Sequence, residues 1–293
     1  WRVIIITMLS SFGTWRNEIE AMIARMPKIG LMTAMVLLLI GKRLSAAFEV
    51  ETVNPSLIGR AGICSLHPMS SNPAADLELS GWNLRSNYTQ LFGLKEIRCW
   101  DLYLLKSWSG KRAAHLAVRS LGNALYAENC FTGGYASAFG EDVHWAVSLR
   151  YYRIDIPGYD QRGWLGLSLG SKFTLSDRLH CALLLQNLNR AWGRGQATDI
   201  PESFVLACQW FPWEYLEIDA EIFKDTLYPF STRLGLQLHL VKYLSALMGV
   251  QLQPDRLACG LSFHWKAIRF DAALLHHTVL PATLYIGCAL HIP

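Results

Sequence analysis

Three acidic residues at alternate positions, Glu217, Asp219 and Glu221, are the strongest candidate for chemistry in this chain. On a helix they would scatter, but on a strand they share one face, spaced about 7 Å apart along it. Such a row repels itself and needs counter-charges, water or cations. Arg233 and His239 stand on one face of the next apolar-alternating stretch and are the expected counter-charges. Two readings follow: a salt-bridge ladder that stiffens the structure, or a polar lining that tunes what passes it. The pair His276-His277 suggests metal ligation or a Ser-His hydrolase, yet neighbouring strand residues point to opposite faces and cannot easily share an ion. No Gly-x-Ser-x-Gly elbow and no phosphate-binding glycine loop occurs, so enzymatic activity has no support. The cysteines at 64, 99, 130, 181, 208, 259 and 288 form no Cys-x-x-Cys pair and read as small apolar fillers. No cofactor and no metal is expected.

The elements that must position these residues follow from period. From about residue 98 onward apolar residues recur at every second position. In Tyr243 to Gln253 the residues Leu244, Ala246, Met248, Val250 and Leu252 form one face; in Ser231 to Leu240 the four leucines at 234, 236, 238 and 240 do the same. Further copies lie near 99–106, 113–119, 130–139, 143–153, 164–173, 179–185, 204–210, 215–222, 257–264, 268–274 and 282–291, with one more strand between Leu77 and Leu91. The total is about fourteen, an even number as bacterial single-chain barrels require.

Composition selects the medium. Charged residues are only 17% of 293, aromatics are 12%, and glycine is frequent at 22 residues. The faces opposite the apolar ones carry Gly, Ala and Ser, as in Gly166-Ser168-Gly170 and Ala258-Gly260-Ser262, where a soluble sandwich would place Lys, Glu and Thr. Small residues suit a crowded lumen, with Val205, Ala207 and Leu275 as apolar members of it. No apolar run is long enough for a spanning helix. Short turns near 109–110, 140–142, 176–178, 211–213, 241–242 and 266 alternate with longer links, Gln253–Arg256 excepted, as in barrels with a periplasmic and an outer rim. Trp100, Trp108, Trp164, Trp210, Trp213, Tyr215, Tyr243 and Trp265 near strand ends suit aromatic girdles. A net charge of +4 with scattered Lys and Arg gives no footprint for nucleic acid.

At the start of the chain, Met26-Pro27-Lys28 and the apolar run to Ile40 read as a signal peptide over 26–47, cleaved after Ala47 behind Ser45-Ala46. Lys42 and Arg43 leave an uncleaved amphipathic anchor as the competing reading. Residues 1–25 then read as an over-extended reading frame, 48–76 as an N-terminal plug or periplasmic segment, and 77–293 as the outer-membrane β-barrel.

Several segments resemble the PorV/PorQ-type outer-membrane proteins, relatives of the FadL-like long-chain fatty acid transporters. They are Gly59-Arg60-Ala61-Gly62 followed by Asn72-Pro73-Ala74, then Asn87 to Leu94, Leu121 to Tyr126, Gln186 to Arg190 and Gln253 to Arg256, in the family's order and across most of 57–293. His276 to Leu280 departs from the family's His-Pro-Val-Leu by a Thr in the proline's place, and the printed sequence ends on His291-Ile292-Pro293 rather than on an aromatic. The resemblance implies an all-β transmembrane antiparallel barrel with a short plug bearing Asn72, Pro73 and Ala74. It also implies an accessory or shuttle in protein secretion or surface attachment; the alternative is a FadL-like channel for small hydrophobic compounds, and a second alternative is a soluble β-sandwich ligand-binding protein. Partners would be outer-membrane lipid, the barrel assembly machinery, and secretion-system proteins or hydrophobic small molecules.

Overall fold

The computed structural model describes residues 48–293 except 109, 159–161, 190–191, 194–199 and 227, with only the backbone of Trp192 and Gly193. The reading-frame, signal-peptide and anchor expectations for 1–47 lie outside the described residues.

The alternating stretches are all strands. They are β1 (Gly81–Gln90), β2 (Arg98–Trp108), β3 (Arg112–Gly122), β4 (Ala127–Phe139), β5 (Val143–Asp155), β6 (Arg162–Ser176), β7 (Leu179–Gln186), the two-residue β8 (Trp192–Gly193), β9 (Ser203–Trp213), β10 (Leu216–Asp225), β11 (Ser231–Val241), β12 (Leu244–Leu252), β13 (Arg256–Trp265), β14 (Ile268–His277) and β15 (Thr283–Ile292). Neighbours in sequence pair antiparallel, β7 pairs with β9, and β1 pairs with β15 from Trp82↔Ile292 to Thr89↔Tyr285. β8 only flanks β6, so fourteen strands close one ring. Closure leaves no open edge, which is what hydrocarbon surroundings demand of a sheet. One ring is not two packed sheets, and this sets aside the soluble sandwich.

The period-two faces divide as composition predicts. Leucines turn outward around the ring: Leu116 is 66% exposed and Met248 61%, with Leu104, Leu261 and Leu284 beside them. A continuous apolar exterior of this size needs acyl chains rather than water. Many inward positions are small or polar, including Ser148, Ser168, Gly235, Gly249 and Ser262, with larger apolar residues such as Leu105, Leu184 and Leu247 among them. Tight connections at 109–111, 140–142, 177–178, 214–215, 242–243 and 266–267 lie on one rim, together with the start of β1 and the end of β15. The longer links lie on the other, which makes the tight rim periplasmic.

Two local expectations fail for physical reasons. The turn expected at 211–213 lies at 214–215, because β9 continues to Trp213 and the ladder absorbs the region around Pro212, which has no N–H to donate, in a register shift between Leu216 and Ile218. Trp164 is not in a girdle. It is 1% exposed and packs inside against Tyr152, Cys130 and Ile200. Its parity with Gly166, Ser168 and Gly170 already places it on the lumen face.

Candidate functional site

The lumen is occupied by the chain's own residues 48–80. Phe48 lies near the long-loop rim, where its N–H donates to Glu128 Oε2 at 2.8 Å and its ring meets Tyr152 edge-on at 4.9 Å. From there the segment descends through Glu51 and Val53 into a one-turn helix, α1 (Pro55–Ile58). Asn54 caps it by accepting from Ser56 N at 3.1 Å, and Pro55 sits at the first position, where a missing N–H costs nothing. Positive φ at Ala61 and Gly62 turns the chain out of the helix. A 3₁₀ helix, Pro73–Glu78, then leads to β1 at the periplasmic rim.

Glu217, Asp219 and Glu221 all point into the lumen, and what they hold is this segment. Arg60 Nη1 bonds Glu217 and lies 3.2 Å from Asp219 Oδ2. His67 Nε2 is 2.7 Å from the same Asp219 oxygen. Glu221 Oε2 accepts from the Cys64 and Ser65 amides and from Ser65 Oγ at 2.6 Å. Arg233 bridges Glu221 at 3.0 Å to Glu51 at 2.8 Å. His239 stays out of this network: it is exposed on the lumen side near the periplasmic rim, bonded to Ser245 Oγ and Gln237.

Arg60 and its partners answer each other electrostatically. Burial by itself lowers the basicity of the Arg60 guanidinium, while the charges of Glu217 and Asp219 raise it, and its pKa ends above the ordinary value. Burial, reinforced by Glu221 and Glu51, pushes the Cys64 thiol well up, so it is neutral. His67, Glu217 and Asp219 have ligand atoms within 4.8 Å of one another and are a group that could hold a metal. Arg60 already brings a cation to both carboxylates, while Asp219 Oδ1 is buried without a hydrogen-bond partner.

The Asn72-Pro73-Ala74 motif is a second anchor. Asn72 is fully buried; its amide donates to Ser65 O at 2.9 Å and to Ser171 O of β6 at 3.1 Å, and its Oδ1 caps the 3₁₀ helix by accepting from Ala74 N. Asp76 follows, accepting from Met69 N, from Tyr103 Oη at 2.8 Å, and facing His115 Nδ1 at 3.1 Å. Lys172 pairs with Glu78 and donates to Leu66 O at 2.7 Å.

Glycines make the fit possible. A Cβ on Gly249 would stand 2.2 Å from Ala61 N, one on Gly235 2.8 Å from Arg60 Cβ, and one on Gly170 2.1 Å from Asn72 Oδ1. Gly235 and Gly249 are cross-strand partners, so together they form a bare patch of wall on which Arg60 and Ala61 lie.

Above the segment, toward the long loops, a cavity of about 300 Å³ remains. Val50, Ile58, Leu91, Phe92, Leu275 and Tyr285 supply its apolar wall; the polar one is charged, with Glu49, Glu51, Glu128, Arg233 and Arg256 beside Thr52, Gln251 and His277. His277 faces this space with its ring 5.1 Å from Phe92, while His276 is exposed on the opposite face, so the histidine pair is split by the strand. Val205, Ala207 and Leu275 are all buried in the lumen.

Sequence reasoning missed Arg60, His67, Asp76, Lys172 and Glu51. A usable signal existed for Arg60: a single cation among small residues, in a chain whose strands carry an unpaired acidic row.

No family profile matches the chain, and no curated protein does. Solved structures do. A monoaromatic hydrocarbon channel, CymD, superposes with a TM-score of 0.65 at 11% identity, covering 84% of this chain and 99% of that one. The toluene transporter TbuX of Ralstonia pickettii gives 0.65 at 9% identity, over 84% of this chain and 100% of its own. A FadL homologue of Pseudomonas aeruginosa gives 0.59 at 12%, over 84% and 99%. At these identities the likeness is one of fold, and with the apolar exterior it makes the chain a fourteen-stranded β-barrel of the bacterial outer membrane, built like these transport channels.

Proposed function

We propose that the protein is a FadL-like channel that takes up small hydrophobic molecules, with residues 48–80 acting as its plug. The observation that carries this is the cavity of about 300 Å³ at the outer end of the lumen, directly above the ion-paired segment, with one apolar wall and one polar, charged wall. A dry cavity of about 150 Å³ already accommodates benzene, so the space suits one monoaromatic or short-chain compound. The apolar wall would take the hydrocarbon part of such a compound and the polar wall would fix its orientation. The names of the similar structures, a hydrocarbon channel and a toluene transporter, support the same substrate class. A secretion accessory of PorV/PorQ type rests on short motifs alone, and the fold neighbours favour the channel over it.

The test is uptake of radiolabelled toluene by cells that express the barrel against cells that carry the empty vector. Faster uptake with the barrel is expected; equal rates, with the protein shown to be in the outer membrane, overturn the reading.

A further inference from the structure

The geometry points to a disulfide bond between Cys181 of β7 and Cys208 of β9, a staple on the lipid-facing side of the wall. The two residues are direct partners in the β7–β9 register. Their sequence neighbours Ala182 and Ala207 are buried in the lumen, so alternation sends both cysteines outward.

Register alone does not permit the bond, because only one of the two kinds of antiparallel pair brings side chains close enough. Phe211 N donates to Arg178 O at 2.9 Å, and these two residues stand opposite each other in the continuation of the same register. Arg178 and Phe211 are therefore a hydrogen-bonded pair. Three steps along the ladder the alternation makes Cys181 and Cys208 a non-hydrogen-bonded pair, with Cα atoms about 4.5 Å apart and side chains at their closest. Disulfides span Cα separations of about 4.4–6.8 Å. Both cysteines are free thiols in this structure, so the bond is one that register and geometry allow.

The other cysteines are differently placed. Cys64, Cys99 and Cys130 are buried inside the barrel. Cys259 and Cys288 face outward on β13 and β15 with β14 between them, opposite Met248 and Leu274 and opposite Ser86 and Phe270 respectively. The pairing is thus specific to 181 and 208, and it links the strands on either side of the connection 187–202.

The compartment supplies the chemistry. A polypeptide bound for the outer membrane crosses the oxidising periplasm, where disulfides form and persist. One Cys thiolate attacks a disulfide of a periplasmic thiol oxidant and displaces one of its sulfurs as thiolate. The second Cys thiolate then attacks this mixed disulfide, forming the 181–208 bond and releasing the oxidant's other sulfur as thiolate; the two protons given up by the cysteines are taken up, through solvent, by the oxidant's two sulfurs, which leaves it as a dithiol. Two electrons leave the cysteine pair and two reduce the oxidant. The exchange runs while the strands are still in water, before acyl chains cover the outward face.

The experiment uses the protein as isolated from outer membranes, with N-ethylmaleimide added at lysis and no reductant. Trypsin then yields Leu179–Arg190 and Gly195–Lys224, each holding one of the two cysteines. Mass spectrometry should find them joined and at least 90% of both cysteines unalkylated, with both peptides released by reduction. In a Cys208→Ser variant that still migrates as a heat-modifiable barrel, Cys181 should become fully alkylated. Recovery of both peptides carrying N-ethylmaleimide, or of either cysteine linked to a different one, overturns the proposal. Toluene uptake plays no part in the readout, so the staple and the channel function fail independently.

Discussion

Adding one methyl group to the barrel wall at Gly249 should unseat the plug. The new Cβ would lie 2.2 Å from Ala61 N and 2.6 Å from the Arg60 carbonyl carbon, both backbone atoms that cannot rotate aside. Restoring an ordinary contact of 3.4 Å requires the segment to retreat by about 1.2 Å. The Arg60–Asp219 contact, already 3.2 Å, stretches as the segment moves. Overpacking of this kind costs about 1–3 kcal/mol, and taking 2 kcal/mol as representative lowers the seated-to-unseated ratio about 30-fold. β12 itself gains by the change, since glycine weakens a strand interior. Gly249→Ala should therefore insert and migrate as a heat-modifiable barrel, yet be cut by trypsin after Arg60 and show larger conductance in planar bilayers. Gly133→Ala is the control: its Cβ would meet only Leu116 Cδ2, at 3.6 Å. A Gly249→Ala protein with the parent's conductance and an uncut Arg60 refutes the docking argument.

Other expectations can be checked with the same preparations. Asn72→Ala removes two buried donor contacts and a cap, a loss of about 1–3 kcal/mol in seating, read as faster proteolysis of residues 48–80; Asn72→Asp retains the cap but not the amide donors, so it should rescue little. Replacing Glu217, Asp219 and Glu221 together by Ala strands Arg60 and leaves Arg233 with Glu51 alone, and it should change conductance or uptake without preventing insertion; lower heat stability with unchanged uptake would identify a stiffening ladder instead. Leu275→Trp fills part of the outer cavity and should slow toluene uptake several-fold while leaving the heat-modifiable shift intact.

The barrel is legible in the sequence because period two is a local property, fixed by the pleat and repeated in every strand. The side of the wall for Glu217, Asp219, Glu221 and Arg233 follows from parity alone. Their partners do not, because Arg60 is 157 residues away from Glu217 and no spacing rule connects a lumen segment to the strand it meets. His239 shows the same limit in reverse: parity gives its face correctly, but its height on β11 places it near the rim, beyond reach of the plug. The glycines were visible as a small-residue face, yet only the structure shows that Gly235, Gly249 and Gly170 are small for Arg60, Ala61 and Asn72 in particular. Trp164 and Pro212 fail for opposite reasons, the first by reading a strand-end location over parity, the second by reading proline as a turn where a bulge absorbs it.

For the channel proposed above, the change in the lumen along its length sets two successive barriers to a passing hydrocarbon. The outer part has an apolar wall of Val50, Ile58, Leu91, Leu275 and Tyr285 facing a charged one that includes Glu51, Arg233 and Arg256, while the periplasmic part holds Arg60, His67, Lys172, Glu78, Glu217 and Asp219 tied together by ion pairs and hydrogen bonds. A hydrocarbon enters the first region with favourable burial, about 25 cal/mol per Å², but gains nothing in the second. Passing there with the segment seated means parting Arg60 from its carboxylates, about 3–5 kcal/mol when one buried charge loses its partner. Capture and release of the plug are therefore two steps in series, and a double variant separates them. Gly249→Ala should speed toluene uptake and Leu275→Trp should slow it; in the double variant the slowing should persist at nearly the same factor, because the two positions act on different steps. If Gly249→Ala instead opens a water-filled path around the cavity, Leu275→Trp loses its effect in that background, and the cavity is not on the route.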